Sequence, residues 1–127
     1  MEITLFGTPR TKKNSQRFIT LKDGRRFLLQ SKLYLEYEKD CLKQITGDMQ
    51  KKIDYPIELE LTIYKQDKRL SDLVGYAQSI QDILVKGKVL KDDNYKIIKS
   101  VKTIFGGIDK ENPRVEIKVK RIRKLTH

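Results

Sequence analysis

Ile57-Glu58-Leu59-Glu60-Leu61-Thr62-Ile63 follows Pro56 and alternates apolar with polar side chains without a break. Successive side chains on a strand point to opposite faces, so Ile57, Leu59, Leu61 and Ile63 share one face, and Glu58, Glu60 and Thr62 share the other. A strand with one apolar and one charged face belongs to a sheet covered by helices on one side only. Antiparallel pairing is the arrangement that tolerates such exposure.

Working outward from this strand, the patterns change period. Towards the C-terminus, Leu73, Tyr76, Ile80, Ile83 and Leu84 form a helical stripe within 71–88. A tight acidic turn over 91–94 follows, then a strand over 95–105, a turn over 106–113 and a last alternating strand over 114–120. Towards the N-terminus, Tyr34, Tyr37, Cys41 and Ile45 predict a helix over 31–49, with Ser31 as cap and Gly47 at its end. Before it, Lys22-Asp23-Gly24 marks the turn of a hairpin over 17–29, and Ile3 and Leu5 predict a short strand over 1–6. The spacing of Tyr34 and Tyr37 makes them core residues rather than base-stacking platforms. Strand, hairpin, helix, strand, helix, strand, strand predicts an α+β domain over 1–120. It should hold a mixed, mostly antiparallel sheet of about four to six strands against two main helices, with a basic tail over 121–127.

The charge balance narrows the function. Lys and Arg number 28 against 17 Asp and Glu, a net charge of +11 in 127 residues. Such self-repulsion in a small domain points to a polyanionic partner, nucleic acid first. Cys41 is the one cysteine and His127 the one histidine, which excludes an internal disulfide and leaves carboxylates as the metal ligands. It also argues against Ser–His and Cys–His catalysis. No apolar run approaches the roughly 20 residues of a membrane span, and no signal-like h-region opens the chain, so a cytoplasmic protein is expected.

Residues 7–17 (GTPRTKKNSQR) carry four cations in eleven positions. Lys12, Lys13, Asn14 and Arg17 are the candidate phosphate contacts, joined by Arg69 from the cation-rich stretch Lys65, Lys68 and Arg69. The candidate acids flank or ride the second helix: Asp72 at its start, Asp82 on its face, Asp92 and Asp93 after its end. Each has an ordinary explanation as well. Asp is a favoured helix cap, and Asp-Asp-Asn is turn chemistry. Asp72 and Asp82 are about 15 Å apart along one helix and cannot share an ion. Asp72 and Asp93, about 25–30 Å apart along a straight axis, meet only if the chain after residue 88 folds back or a second subunit supplies one of them.

Residues 71–84 (SDLVGYAQSIQDIL) followed by 85–94 (VKGKVLKDDN) resemble the central block of the RusA family of Holliday-junction resolvases. That block reads Asp-x-Asp-Asn-x-x-Lys-x-x-x-Asp-x-Leu, then a glycine turn, then Asp-Asp. The basic loop over 7–17 and residues 109–117 (DKENPRVEI) are similar to the family's opening loop and closing strand, so the resemblance spans nearly the whole chain. It implies a RusA-like fold and a homodimeric, Mg²⁺-dependent endonuclease, with Mn²⁺ as an alternative ion. Such enzymes nick opposed strands of four-way DNA junctions in recombination and repair, and are usually carried by phages or prophages. Matched position by position, Asp72 and Asp93 fall on catalytic, metal-binding acids, Asp82 on the helix acid and Asp92 on the first of the acid pair. Three positions depart: Val74 stands at the second motif acid, Gly75 at the Asn and Gln78 at the Lys. Valine cannot bind a hard cation, so the metal site would be one acid short.

On this reading Asp72 and Asp93 hold Mg²⁺, which polarises the scissile phosphate and acidifies the attacking water, with Asp82 or Asp92 completing the shell. A two-fold dimer suits a two-fold substrate, with the alternating strands or the second helix as its interface. The missing acid also allows a non-catalytic protein of the same fold that binds branched or single-stranded DNA. Composition alone would permit an RNA-binding accessory protein.

Overall fold

The structure, a computed structural model, describes residues 1–12, 17–29 and 32–123, with 17–19 and 27–29 by backbone alone. The chain runs β1 (Glu2–Phe6), β2 (Arg17–Thr20), β3 (Arg26–Leu29), α1 (Lys32–Gln44), a single 3₁₀ turn (Gly47–Met49), β4 (Ile57–Lys65), α2 (Leu73–Lys86), β5 (Ile98–Ile108) and β6 (Arg114–Arg121). It is an α+β domain. Four strands form one sheet in the order β1-β6-β4-β5, while β2 and β3 pair as a separate hairpin. β1–β6 and β4–β6 are antiparallel; β4–β5 is parallel, because α2 carries the chain back before β5 begins.

The alternation of β4 does what its pattern requires. Ile57, Leu59, Leu61 and Ile63 are at most 1% exposed. They pack with Val115, Ile117 and Val119 of β6, Ile3 and Leu5 of β1, and Tyr76, Ile80, Ile83 and Leu84 of α2. Tyr37 and Cys41 of α1 join the same core, and Tyr34 is fully buried beside them on that helix. Each fully buried aliphatic side chain is worth about 1.5–3 kcal/mol, so this shared face holds the sheet and both helices together.

Four boundaries differ from the sequence expectation, each for a local reason. α1 stops at Gln44 instead of reaching 49: the Ile45 amide bonds back only three residues to Leu42, and Thr46 is extended. β5 starts at Ile98 rather than at 95, because the Asn94 carbonyl accepts from both Ile97 and Ile98 and its side chain accepts from Lys96, closing a turn. β5 then runs through Gly106 and Gly107, which read as a turn. A Cβ on Gly106 would lie 2.7 Å from Thr62 and 2.8 Å from the Tyr64 ring, so the glycine is where the neighbouring strand lies close, not where the chain reverses. Finally, Arg121 belongs to β6 rather than to a tail: it pairs with Ile57, and its guanidinium stacks 4.1 Å from the Tyr55 ring. Residues 124–127 of the expected tail lie outside the described residues. No helix among those described is long and apolar enough to cross a membrane.

Candidate nucleic-acid interface

β1 ends at the same edge of the sheet as β4, since Phe6 pairs with Arg114 and Arg114 with Tyr64. From there the basic loop starts across α2. The Thr8 hydroxyl bonds Gln66, just beyond β4. Thr11 is 5% exposed and rests on Gly75, where a Cβ would come within 3.0 Å of its methyl. Gly75 is therefore a seat for the loop, at the helix position where a larger residue would push the loop away. One turn further along α2, the Lys12 amide donates to Ser79 Oγ at 3.2 Å, and Ser79 Oγ donates to the Gly75 carbonyl at 3.1 Å. The Lys12 ammonium then pairs with Asp82 and lies 5.6 Å from the Tyr34 ring centre. Across the same groove, Lys86 donates to both oxygens of Glu38 at 3.0 Å, tying α2 to α1. The Tyr34 hydroxyl donates to Glu38 at 3.1 Å; burial, then this carboxylate, raises the Tyr34 hydroxyl above the ordinary tyrosine range.

Lys13 and Asn14 lie outside the described residues, and Arg17 is described only as the first backbone position of β2.

The link from β4 to α2 forms the second half of the surface. Lys65, Asp67, Lys68, Arg69, Leu70, Ser71 and Leu73 line a cleft of about 350 Å³ together with Phe105 and Ile108 of β5. Asp67 spends one carboxylate oxygen on the Arg69 amide, 3.0 Å, which shapes the turn that presents Lys68 and Arg69. Ser71 and Leu73 flank Asp72, so this acid stands beside a cleft with three cations and one other acid.

Asp72 is the N-cap of α2. Its backbone is extended, and one carboxylate oxygen accepts from the Val74 amide at 3.0 Å. The other oxygen has no partner among the described residues. Asp92 is committed to its own turn. Its two oxygens take the Asp93 amide at 2.7 Å and the Asn94 side chain at 3.0 Å, and these bonds hold it below the usual carboxylate range. Asp93 is exposed, next to Asp92 in the same turn.

Topology then separates the two principal acids. After α2 the chain does not fold back. Lys88 and Val89 accept from Lys52 and Ile53, and the Lys91 amide donates to the Ile53 carbonyl, so this segment is held ahead of the start of β4. Asp72 lies past the end of β4. The 14 residues of α2 stand between them, roughly 20 Å at 1.5 Å per residue. Asp82 is turned to Lys12, and among the described residues no three His, Cys, Asp or Glu side chains form a metal-binding group. Carboxylate oxygens are the right donors for Mg²⁺, but one chain does not gather them, so a site built from Asp72 and Asp93 requires two chains.

Phe105, Ile108 and Leu70 escaped sequence reasoning, although the cations beside them did not. No local pattern marks them: Phe105 pairs with Ile63 and so belongs to the helix-covered face, yet it lies level with the link before α2, which only the folded register shows. Compared with known proteins, the chain matches no family model and no characterised protein.

Proposed function

We propose that this chain is a structure-specific endodeoxyribonuclease of RusA type that grips four-way or otherwise branched DNA as a homodimer and cuts it with Mg²⁺. The observation that carries the reading is the setting of Asp72. It is a carboxylate with one oxygen lacking a protein partner among the described residues, beside a cleft lined by Lys65, Lys68 and Arg69. A basic surface that meets phosphate next to an available acid is what hydrolysis of a phosphodiester requires. The overall charge of +11 supports the polyanionic partner. Because Asp72 and Asp93 lie at opposite ends of α2, no step is assigned to a metal within one chain.

That same separation favours a second reading, a protein that binds DNA branches without cutting them. Incubation with a synthetic four-way junction and with linear duplex, under Mg²⁺, Mn²⁺ and EDTA, separates the two. Metal-dependent nicking of the junction alone is expected. Binding without nicking under either ion would leave only the second reading.

A further inference from the structure

Phe105 is in the wrong place for a core residue and the wrong chemistry for a solvated one. By register it sits beside Ile63, which is fully buried, on the face that α2 covers. Its own ring is 51% exposed, because α2 begins only at Leu73 and leaves this end of the face open. Leu70, at 96% exposure, and Ile108, at 41%, extend the apolar wall. Around this wall stand Lys65, Lys68 and Arg69. The one acid in the cleft, Asp67, already has an oxygen bonded to the Arg69 amide. A flat ring in an open cleft rimmed by cations suits a ligand with a flat apolar body and anionic groups on either side. An unstacked nucleotide within a DNA strand is such a ligand, whereas a fully paired duplex keeps its base faces closed.

We propose that the cleft between Phe105 and the 65–71 link is a subsite for an unpaired nucleotide, whose base stacks on Phe105 while Lys65, Lys68 or Arg69 contacts the flanking phosphates. This rests on the DNA-binding reading and names what that surface recognises: strand that has left the duplex, as at a branch point. It requires no cutting.

The test uses the full chain and two probes, a short oligo-dT single strand and a linear duplex, titrated by fluorescence anisotropy at matched salt. Phe105→Ala should weaken oligo-dT binding about ten-fold, within the roughly 5- to 150-fold expected for one base–aromatic stack, while duplex affinity stays within about two-fold. The chain has no tryptophan. Phe105→Trp therefore installs a single reporter, which should keep single-strand affinity and be quenched by oligo-dT but not by duplex. A half-exposed ring on an edge strand can be replaced without loss of the core, and thermal unfolding of both variants checks this. Equal loss on both probes, no loss on either, or an unquenched tryptophan with oligo-dT bound would overturn the proposal while leaving DNA binding intact. A change in sedimentation on Phe105→Ala would overturn it too, since the cleft would then belong to a second copy. Failure of the unaltered protein to bind oligo-dT would remove this subsite, and failure to bind a four-way junction as well would remove the DNA reading with it.

Discussion

The Lys12 ammonium and the Asp82 carboxylate are ion-paired, 26% and 34% exposed, and the pair fastens the basic loop to the middle of α2. Gln78 lies one helical turn before Asp82, at the position where the RusA-type motif carries Lys. Asp82 thus takes its cation from the loop rather than from its own helix.

This pairing changes what Lys12 should do. A cation already neutralised by a neighbour has less charge to offer a phosphate. Lys12→Ala should lower stability by about 1 kcal/mol, as for a partly exposed pair, and leave the salt dependence of DNA binding nearly unchanged. Lys68→Ala with Arg69→Ala should instead reduce the slope of log affinity against log salt, by about 0.9 for each phosphate no longer neutralised. Urea unfolding and duplex titrations at several salt concentrations measure both. A Lys12→Ala slope reduced by as much as one phosphate would mean that the ammonium leaves Asp82 for DNA.

Asp72 has a structural duty and a proposed chemical one, and two substitutions separate them. Asn caps a helix about as well as Asp, so Asp72→Asn should keep the bond to the Val74 amide and the native stability while losing the charge. Asp72→Ala should lose both, at a cost of about 1 kcal/mol in urea unfolding. If the acid is used in cutting, both variants should fail to nick a junction. If it is only a cap, Asp72→Asn should nick like the native protein.

Val74 is 63% exposed in the first turn of α2. An acid there meets no core and favours the positive end of the helix dipole, so Val74→Asp should be neutral or stabilise by up to about 1 kcal/mol. If the proposed RusA-type reading holds, it also places a carboxylate at the position of the motif's second acid. Nicking should then saturate at lower Mg²⁺ concentration, as read from initial rates across a Mg²⁺ series. An unchanged Mg²⁺ dependence would place this position away from the metal.

The sheet was legible because Ile57 to Ile63 repeat with period two and have no other way to be buried. Both helices were legible from their apolar stripes. What escaped depended on partners distant in sequence. Gly106 and Gly107 look like a turn until Tyr64 of the neighbouring strand is seen to cross Gly106. Lys12 looks like a free cation until Asp82 is found 70 residues later beside it. Phe105 carries no local sign of exposure, since only the late start of α2 uncovers it. The candidate acids could be picked out by type and order. Whether they meet depends on which way the chain leaves α2, and the backbone bonds of Lys88, Val89 and Lys91 with Lys52 and Ile53, nearly 40 residues earlier, decide that.

Cys41 is fully buried, and burial pushes its thiol up to about 11, with the charges of Asp40 and Glu38 adding to the shift. The fold thus prefers the neutral thiol. Its contribution to stability should be complete below about pH 9, where the unfolded thiol is still protonated, and be lost progressively as pH rises through about 11. Tyr34 and Tyr37, also raised, act with the same sign at higher pH. Cys41→Ala should therefore flatten the fall in unfolding free energy between about pH 9 and 11. Since the thiolate is the nucleophile, native Cys41 should resist a thiol-specific reagent at pH 8 and react fully in urea. Labelling at the rate of a free cysteine in the native protein would contradict this account.

The distance along α2 gives the nuclease proposal its sharpest consequence. If one cutting site takes Asp72 from one chain and Asp93 from another, neither Asp72→Asn nor Asp93→Asn homodimers contain an intact pair. A heterodimer of the two variants is different. The unaltered Asp72 of one chain faces the unaltered Asp93 of the other, while the second site has lost both acids. Refolding the two variants together should therefore restore nicking of one strand to a substantial fraction of the native rate, with paired cuts across the junction absent. Sites contained within one chain would show no such rescue, because each chain would carry one damaged acid of its own. Mixing the folded variants without refolding is the control, since activity should then return only as fast as subunits exchange. Restored single nicks on a labelled junction support the shared site; inactivity of the refolded mixture, with the heterodimer shown present by differential tagging, would rule it out.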